Sequence, residues 1–339
     1  MRSKLLVFQK WFFIASLCVF VSGCGHAKVN PMDTTGWKTH CFGRFLVDLP
    51  PKARVSQMYK IWSNEFKRTS IDFKSLDGKI SSIEDDLKSA SHKGSGSMYI
   101  KTIGYDNGST GVLRWDSARS SEFMWMSTYF VAPPKGFVYQ MESLVEIDKQ
   151  HSSQSFAEKI SSNISSLEMD VIPSGSGYCI DGAFIAGDDL QSESFNIGVT
   201  LPKHPGMNIT LFVTTQGEVD KETLLDRAGA VEAAVLLQGG KLLRKGKRNT
   251  GDHGSIPGGE YLMTSEEDGQ KIYGFTWEAL GKANSIAAPY MTVELQVLGQ
   301  SVVDEEHPYQ PPFKDDDEAV ALWDAIIESI RLRPGAASI

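Results

Sequence analysis

The 339-residue sequence predicts an α+β protein built as an internal duplication: two similar domains, each a mainly antiparallel sheet with two helices packed on it. Three observations carry that expectation. Motifs recur at one offset, because Leu49-Pro50 and Leu201-Pro202, Phe123-Met124-Trp125 and Phe275-Thr276-Trp277, and Glu142 and Glu294 all lie 152 residues apart. The length fits two domains of about 100–200 residues better than one. Hydrophobic residues make up 41% of the chain, and seventeen Phe and seven Trp provide enough apolar area for two cores.

The elements follow in order. In the first half, Arg44–Leu49 and Gln57–Phe66 read as strands. Ser81-Ser82-Ile83-Glu84 has the form of a capping box for a helix with Ile83, Leu87 and Ala90 on one face. Segments rich in aromatic and β-branched residues then predict strands at Tyr99–Tyr105, Val112–Ser117, Glu122–Val131 and Phe137–Ile147, and Phe156, Ile160 and Ile164 mark a closing helix near Ser155–Ser165. The second half repeats the order. Strands at Phe195–Leu201 and Asn208–Thr214 precede a helix from Asp220 with Leu224, Ala228, Val231 and Val235 facing inward. Strands near Lys241–Lys245, Glu260–Thr264, Lys271–Glu278 and Tyr290–Leu298 lead to a last helix. That helix opens on the acidic run Asp315–Glu318, which suits the positive end of a helix dipole. Each half therefore reads β-β-α-(β)4-α, with domains at 40–171 and 179–337 and a Pro/Gly/Ser-rich linker at 172–178.

Residues 1–23 have a different character. Arg2, Lys4 and Lys10 precede an apolar run from Trp11 to Val21, and Val21-Ser22-Gly23-Cys24 follows. That is the pattern of an export signal, too short to span a bilayer. A Cys placed directly after small residues marks Cys24 as a candidate for lipidation, against the alternatives of an uncleaved anchor or an ordinary signal. Residues 24–39 then form a polar tether. Loss of the three basic residues takes the net charge from −8 to −11. Such a balance argues against nucleic acid, whose phosphates need Lys and Arg to displace counterions.

Catalytic motifs are missing: no Gly-x-Ser-x-Gly elbow, no His-Glu-x-x-His, no phosphate loop and no dinucleotide fingerprint. The seven His never fall at metal-ligand spacing, so neither metal nor cofactor is expected. Glu142 and Glu294 lie inside apolar strands, where a structural role in each half outweighs a catalytic pair. The acidic runs read first as solvated faces or helix starts; alternatively they offer a negative surface to a basic partner. On that second reading the candidate contacts are Asp252, His253, Glu266, Glu267, Asp304, Glu305, Asp315 and Asp316. With Cys18 in the signal and Cys24 lipidated, Cys41 and Cys179 remain. They are either a disulfide joining the two first strands in an oxidising compartment or two small core residues. The strand Phe123–Phe130 is apolar on both faces, and is either covered on both sides or an exposed docking patch.

Three strings carry a family resemblance: Cys41-Phe-Gly-Arg-Phe-Leu-Val-Asp-Leu-Pro50, Cys179-Ile-Asp-Gly182 and Ala321-Leu-Trp-Asp-Ala-Ile-Ile-Glu-Ser-Ile-Arg-Leu-Arg-Pro-Gly335. Over roughly residues 40–335 the chain resembles the two-domain periplasmic immunity proteins that neutralise a lipase effector of the type VI secretion system. The resemblance implies a non-enzymatic inhibitor whose two domains grip a phospholipase of the α/β-hydrolase type and block substrate access, protecting the producer and its kin. It implies a periplasmic location, and Gly25 after Cys24 favours the outer membrane. The rival expectations are an envelope lipoprotein with a hydrolase site of scattered residues, and a structural or assembly lipoprotein.

Overall fold

The computed structural model describes residues 31–337 apart from 169–170, 189, 191, 238 and 252–254. The first half contains β1 (Lys38–Phe42), β2 (Phe45–Leu49), β3 (Arg54–Ile61), β4 (Asn64–Asp72), α1 (Phe73–Ser89), β5 (Tyr99–Gly104), β6 (Thr110–Trp115), β7 (Phe123–Ala132), β8 (Phe137–Glu146), α2 (Gln150–Asn163) and β9 (Ile164–Ser166). The second contains β10 (Gly177–Ile180), β11 (Ala183–Ala186), β12 (Glu193–Thr200), β13 (Met207–Thr214), α3 (Leu224–Leu237), β14 (Lys241–Asn249), β15 (Pro257–Glu267), β16 (Gln270–Ala279), β17 (Tyr290–Val297), α4 (Asp316–Ser329) and β18 (Arg331–Leu332). The chain is thus dominated by antiparallel sheet, with four α-helices among the described residues.

A separate sheet in each half is the expectation that needs correcting. Twelve strands from both halves form one sheet in the order β14-β15-β16-β17-β13-β12-β3-β4-β8-β7-β6-β5. Its seam is the antiparallel pair β3–β12, in register from Arg54↔Thr200 to Ile61↔Glu193. Outward from that seam the order reads alike in both directions. Two three-stranded sheets sit beside it, and each borrows its last strand from the other half: β18 pairs with β2, and β9 pairs with β11. Neither half closes without the other.

Local sequence explains where the boundaries differ from expectation. The segment read as one strand over 57–66 is a hairpin, because Trp62 and Ser63 both take the left-handed conformation (φ 51° and 64°) of a two-residue turn. Neither is Gly, Asn or Asp, so no turn residue announces it. Helix α1 starts eight residues before the Ser81 box: Asp72 caps it by accepting from the Lys74 N–H at 3.1 Å, and Leu76 and Ile80 are its buried residues. Helix α3 begins at Leu224 rather than Asp220, its first N–H donating to the Glu278 carboxylate at 2.7 Å. Helix α4 begins as expected at the acidic run, with Asp315 accepting from the Glu318 N–H at 2.9 Å. The two Leu-Pro pairs do not fall at like places, for Leu49 ends β2 whereas Leu201 follows β12.

The main core lies on one face of the large sheet. Phe66, Met126, Phe130 and Tyr139 of the first half and Ile197, Leu211, Phe275, Trp277 and Val293 of the second belong to one buried cluster. Ile160 of α2 and Trp323 and Ile327 of α4 complete it, as does Phe45 of β2. Burial of this apolar area is the dominant favourable contribution to the fold. Strand Phe123–Phe130 is covered: Met124, Met126, Tyr129 and Phe130 are buried and only Phe123 at its start is exposed.

At the junction the Cys41–Cys179 pair is a disulfide spanning 138 residues. Beside it Gly43 and Cys179 exchange both backbone hydrogen bonds, at 3.0 and 2.8 Å. Gly43 has φ +56°, and a Cβ there would stand 2.5 Å from the Phe195 ring, so only glycine fits this approach. Arg44 is buried; its Nε donates to Glu193 at 2.8 Å and its Nη1 donates to the Ala336 carbonyl. Arg333, also buried, donates to the carbonyls of Pro173, Gly175 and Gly177 at 2.7–2.8 Å, holding the interdomain segment.

Candidate partner-binding face

Directly paired residues of an antiparallel sheet point to the same face, and so do alternate residues along a strand. This fixes where α1 and α3 stand. Leu76 and Ile80 of α1 pack with Val112, Tyr129, Val131 and Val138. From Tyr129 the register runs to Gln140 and Lys67, and from Glu65, two residues away on the same face, to Lys60. Met58, two residues further, pairs with Asn196, then with Phe212, Thr292 and Glu278. Thr276, on the same face as Glu278, pairs with Tyr261, which packs with Ala228 of α3. Helices α1 and α3 therefore flank one face at the two ends of the large sheet. Among the described residues, the strands between them carry no helix on that face.

The exposed floor crosses the β3–β12 seam. Its centre is a groove of about 300 Å³ lined by Ser56, Met58, Asn196, Gly198, Asn208 and Thr210. Met58 is 41% exposed, and Phe212 is half-buried. Two carboxylates sit either side of the centre. Glu142 on β8 accepts from Ser127 Oγ at 2.8 Å, and Glu294 on β17 accepts from Gln296 Nε2 at 3.0 Å. Neither has a cationic partner among the described residues. The residues paired with them hold matching positions: Ser127 opposite Glu142 and Thr276 opposite Glu294.

The two walls differ in chemistry. The outer side of α1 is charged, and Glu84 accepts from Lys88 at 2.7 Å and from Thr102 at 2.6 Å; these two hydrogen bonds, Lys88's first, hold its carboxyl below the usual range. Helix α3 is apolar, with Leu236 and Leu237 exposed at its end, the latter by 89%. Among the described residues no group of three His, Cys, Asp or Glu side chains is placed to hold a metal ion. The arrangement offers a two-domain surface, flanked by α1 and α3, whose polar floor carries charges of both signs: Arg54, Lys60 and Lys67 share the face with Glu65, Glu142 and Glu294.

Two family matches divide the chain at the same junction. Residues 38–169 match the N-terminal domain of Tle cognate immunity protein 4, and residues 171–335 match its C-terminal domain. The chain belongs to this immunity-protein family. Solved structures agree over nearly the whole fold. An apo structure of the immunity protein TplEi of the type VI secretion system from Pseudomonas aeruginosa is 37% identical, with a TM-score of 0.82, covering 90% of this chain and 99% of its own. A crystal structure of the Tle4-Tli4 complex gives 37% identity and a TM-score of 0.83, covering 91% of this chain and 100% of its own. TplEi complexed with an "L" peptide matches at 36% identity and a TM-score of 0.77, over 89% of this chain and 100% of its own. No curated protein sequence matches the chain.

Within this family fold, the acidic residues singled out from sequence gather at one end of the second half rather than on the floor. Glu266 and Glu267 end β15 at its hairpin with β16. The loop after β17 is tied to that hairpin, with Gln300 N donating to Gln270 at 2.6 Å and Lys271 N donating to Tyr309 at 3.0 Å. Asp304 on that loop accepts from its own loop's N–H groups at Glu306 and His307, and Glu305 is exposed. Asp315 is the α4 cap. Burial raises the Asp316 carboxyl, but Lys241, Tyr273 and Lys271 outweigh it and hold it below the usual range. Cys24, Asp252 and His253 lie outside the described residues. Sequence reading missed Met58, Asn196, Asn208, Thr210 and Phe212; the alternation in β12 and β13 placed their polar members on one face, but nothing local showed that this face stays uncovered.

Proposed function

We propose that the chain binds and inhibits a cognate lipase effector of the type VI secretion system, by holding it across the face between α1 and α3. One observation carries this reading: the uncovered face is continuous across both immunity domains, so a single partner touching both is held by two surfaces of fixed spacing. Glu142 and Glu294, which have no cationic partner among the described residues, favour basic groups of that partner at those two positions. The partner expected from the resemblance is a phospholipase of the α/β-hydrolase type, and a neighbouring gene that encodes one would support the reading. Inhibition needs no chemistry from the chain itself, in keeping with its lack of a catalytic motif.

The test is co-expression with that effector directed to the periplasm. The wild-type chain is expected to restore growth and to co-purify with the effector. Thr210→Arg and the pair Glu142→Lys with Glu294→Lys are expected to weaken binding at least about tenfold, because these floor positions are exposed (Glu142) or half-buried (Thr210, Glu294) and long side chains there reach solvent while an interface excludes them. Full protection by these variants would remove the floor from the interface, and lipid hydrolysis by the purified chain alone would overturn the inhibitor reading.

The signal pattern of residues 1–23 supports a periplasmic body anchored through lipid on Cys24 to the outer membrane. Fatty-acid labelling is expected to mark the wild type and not Cys24→Ser; equal labelling would end this proposal. The matched element order of the two halves and the strand order mirrored about β3–β12 support descent from one duplicated unit. Failure of β12–β17 to superpose on β3–β8 would count against it.

A further inference from the structure

The largest cavity among those described lies away from the floor, where the ends of β15 and β16 meet the start of α3 and the first half's β2. Its volume is about 720 Å³, within the roughly 300–1,000 Å³ of small-molecule sites. Its wall is mainly apolar: Phe45, Leu225, Ile256, Leu280, Met291 and Leu332 are among its residues. Two cations, Lys247 and Lys282, stand on its lining; both are exposed, and neither has an ion-pair partner among the described residues. The other four cations of β14 are engaged: Lys241 with Asp316, Arg244 with Asp324, Lys245 with Glu232 and Arg248 with Glu328. Among the described residues the one carboxylate on the cavity, Glu278, is buried and already satisfied by the Leu224 N–H, Arg227 and the Tyr290 hydroxyl.

From this pairing of an apolar chamber with two unpaired ammonium groups, we infer that the cavity binds a single-chain anionic amphiphile, its acyl chain inside and its carboxylate against Lys247 and Lys282. An uncharged apolar ligand would leave the lysines unused, and a polar anion would leave the chamber wet. A long-chain fatty acid satisfies both, since each methylene buried in the chamber adds to affinity while the head group stays at the solvated rim. The chamber adjoins the α3 wall of the partner-binding face but lies off the β3–β12 floor, and oleate binding is read on the purified chain without effector, so the two readings fail independently.

Oleate, kept below its micelle threshold, is the probe for calorimetric titration into the purified chain. One-to-one binding is expected, with oleyl alcohol binding more weakly. Lys247→Ala combined with Lys282→Ala is expected to reduce oleate affinity about tenfold, and Ala288→Phe, which fills the chamber from its wall, to abolish it. If Ala288→Phe fails to fold, the lysine pair at exposed positions still decides. Absence of binding, uptake of many oleates per chain, or equal affinity in the lysine variant would overturn the inference. So would a result in which oleate fails to bind while these variants weaken effector binding, which would give the chamber to the effector.

Discussion

Replacing Cys41 and Cys179 together with alanine is expected to lower the free energy of unfolding by roughly 4–5 kcal/mol. The bond closes a 138-residue loop, and its main effect is to restrict the unfolded chain. The packing loss is small by comparison, because an alanine keeps the Cβ and only the buried Cys179 sulfur leaves a gap. Urea unfolding of the wild type with and without reductant gives the check. Reductant should shift the wild-type midpoint close to that of the double variant and leave the variant unmoved. A wild-type midpoint indifferent to reductant would remove the disulfide from the stability of the fold. Binding to the effector is expected to weaken too, since the two domains' surfaces keep their spacing through this junction. The oxidising periplasm proposed for the protein is where the bond would persist.

How much of this was legible in the sequence depends on how local each signal was. Strands β7, β8, β13, β16 and β17 were readable because their alternation and flanking turns are contained in about ten residues. Cys41 and Cys179 could be matched because each sits five residues before its hairpin partner, Leu46 and Phe184. The Trp62-Ser63 turn was not readable, since neither residue type favours a left-handed backbone. The start of α1 was legible in principle: Leu76, Ile80, Ile83 and Leu87 follow helical spacing back toward Asp72, and the Ser81 box obscured it. What no local pattern contained was the exchange of β9 and β18 between halves, because those pairings join strands of two or three residues to distant hairpins. The same holds for the site. Composition drew attention to acidic loops, whereas the uncovered floor emerges only when six strands from both halves are laid in register. Glu142 and Glu294 were noticed for their repetition but read as structural, and the sheet turns both toward the open face.

Arg44→Met is expected to cost about 3–5 kcal/mol at neutral pH, the usual loss when one partner of a buried ion pair is removed. Glu193 would be left buried with no cation beside it, and the hydrogen bonds to Ala336 and Gly187 carbonyls would go with the guanidinium. The size of the effect should depend on pH, with a definite sign. Burial already pushes the Glu193 carboxyl above its usual range despite the opposing pull of Arg44. Without Arg44 the upward push acts unopposed, so the variant's carboxyl rises further. An acid whose value is raised in the folded state adds stability below its unfolded value and loses it as pH climbs through the folded one. Arg44→Met should therefore be closest to wild type at mildly acid pH and fall away toward neutrality. Adding Glu193→Gln removes the charge and should recover part of the loss at neutral pH, so the double variant's stability depends less on pH than the single's and the gap between them widens toward neutrality. Urea unfolding of the three proteins from about pH 5 to pH 8 measures this directly. A single variant whose deficit is constant across that range, or a double variant no more stable than the single at neutral pH, would show that the junction depends on the hydrogen bonds of Arg44 and not on its charge.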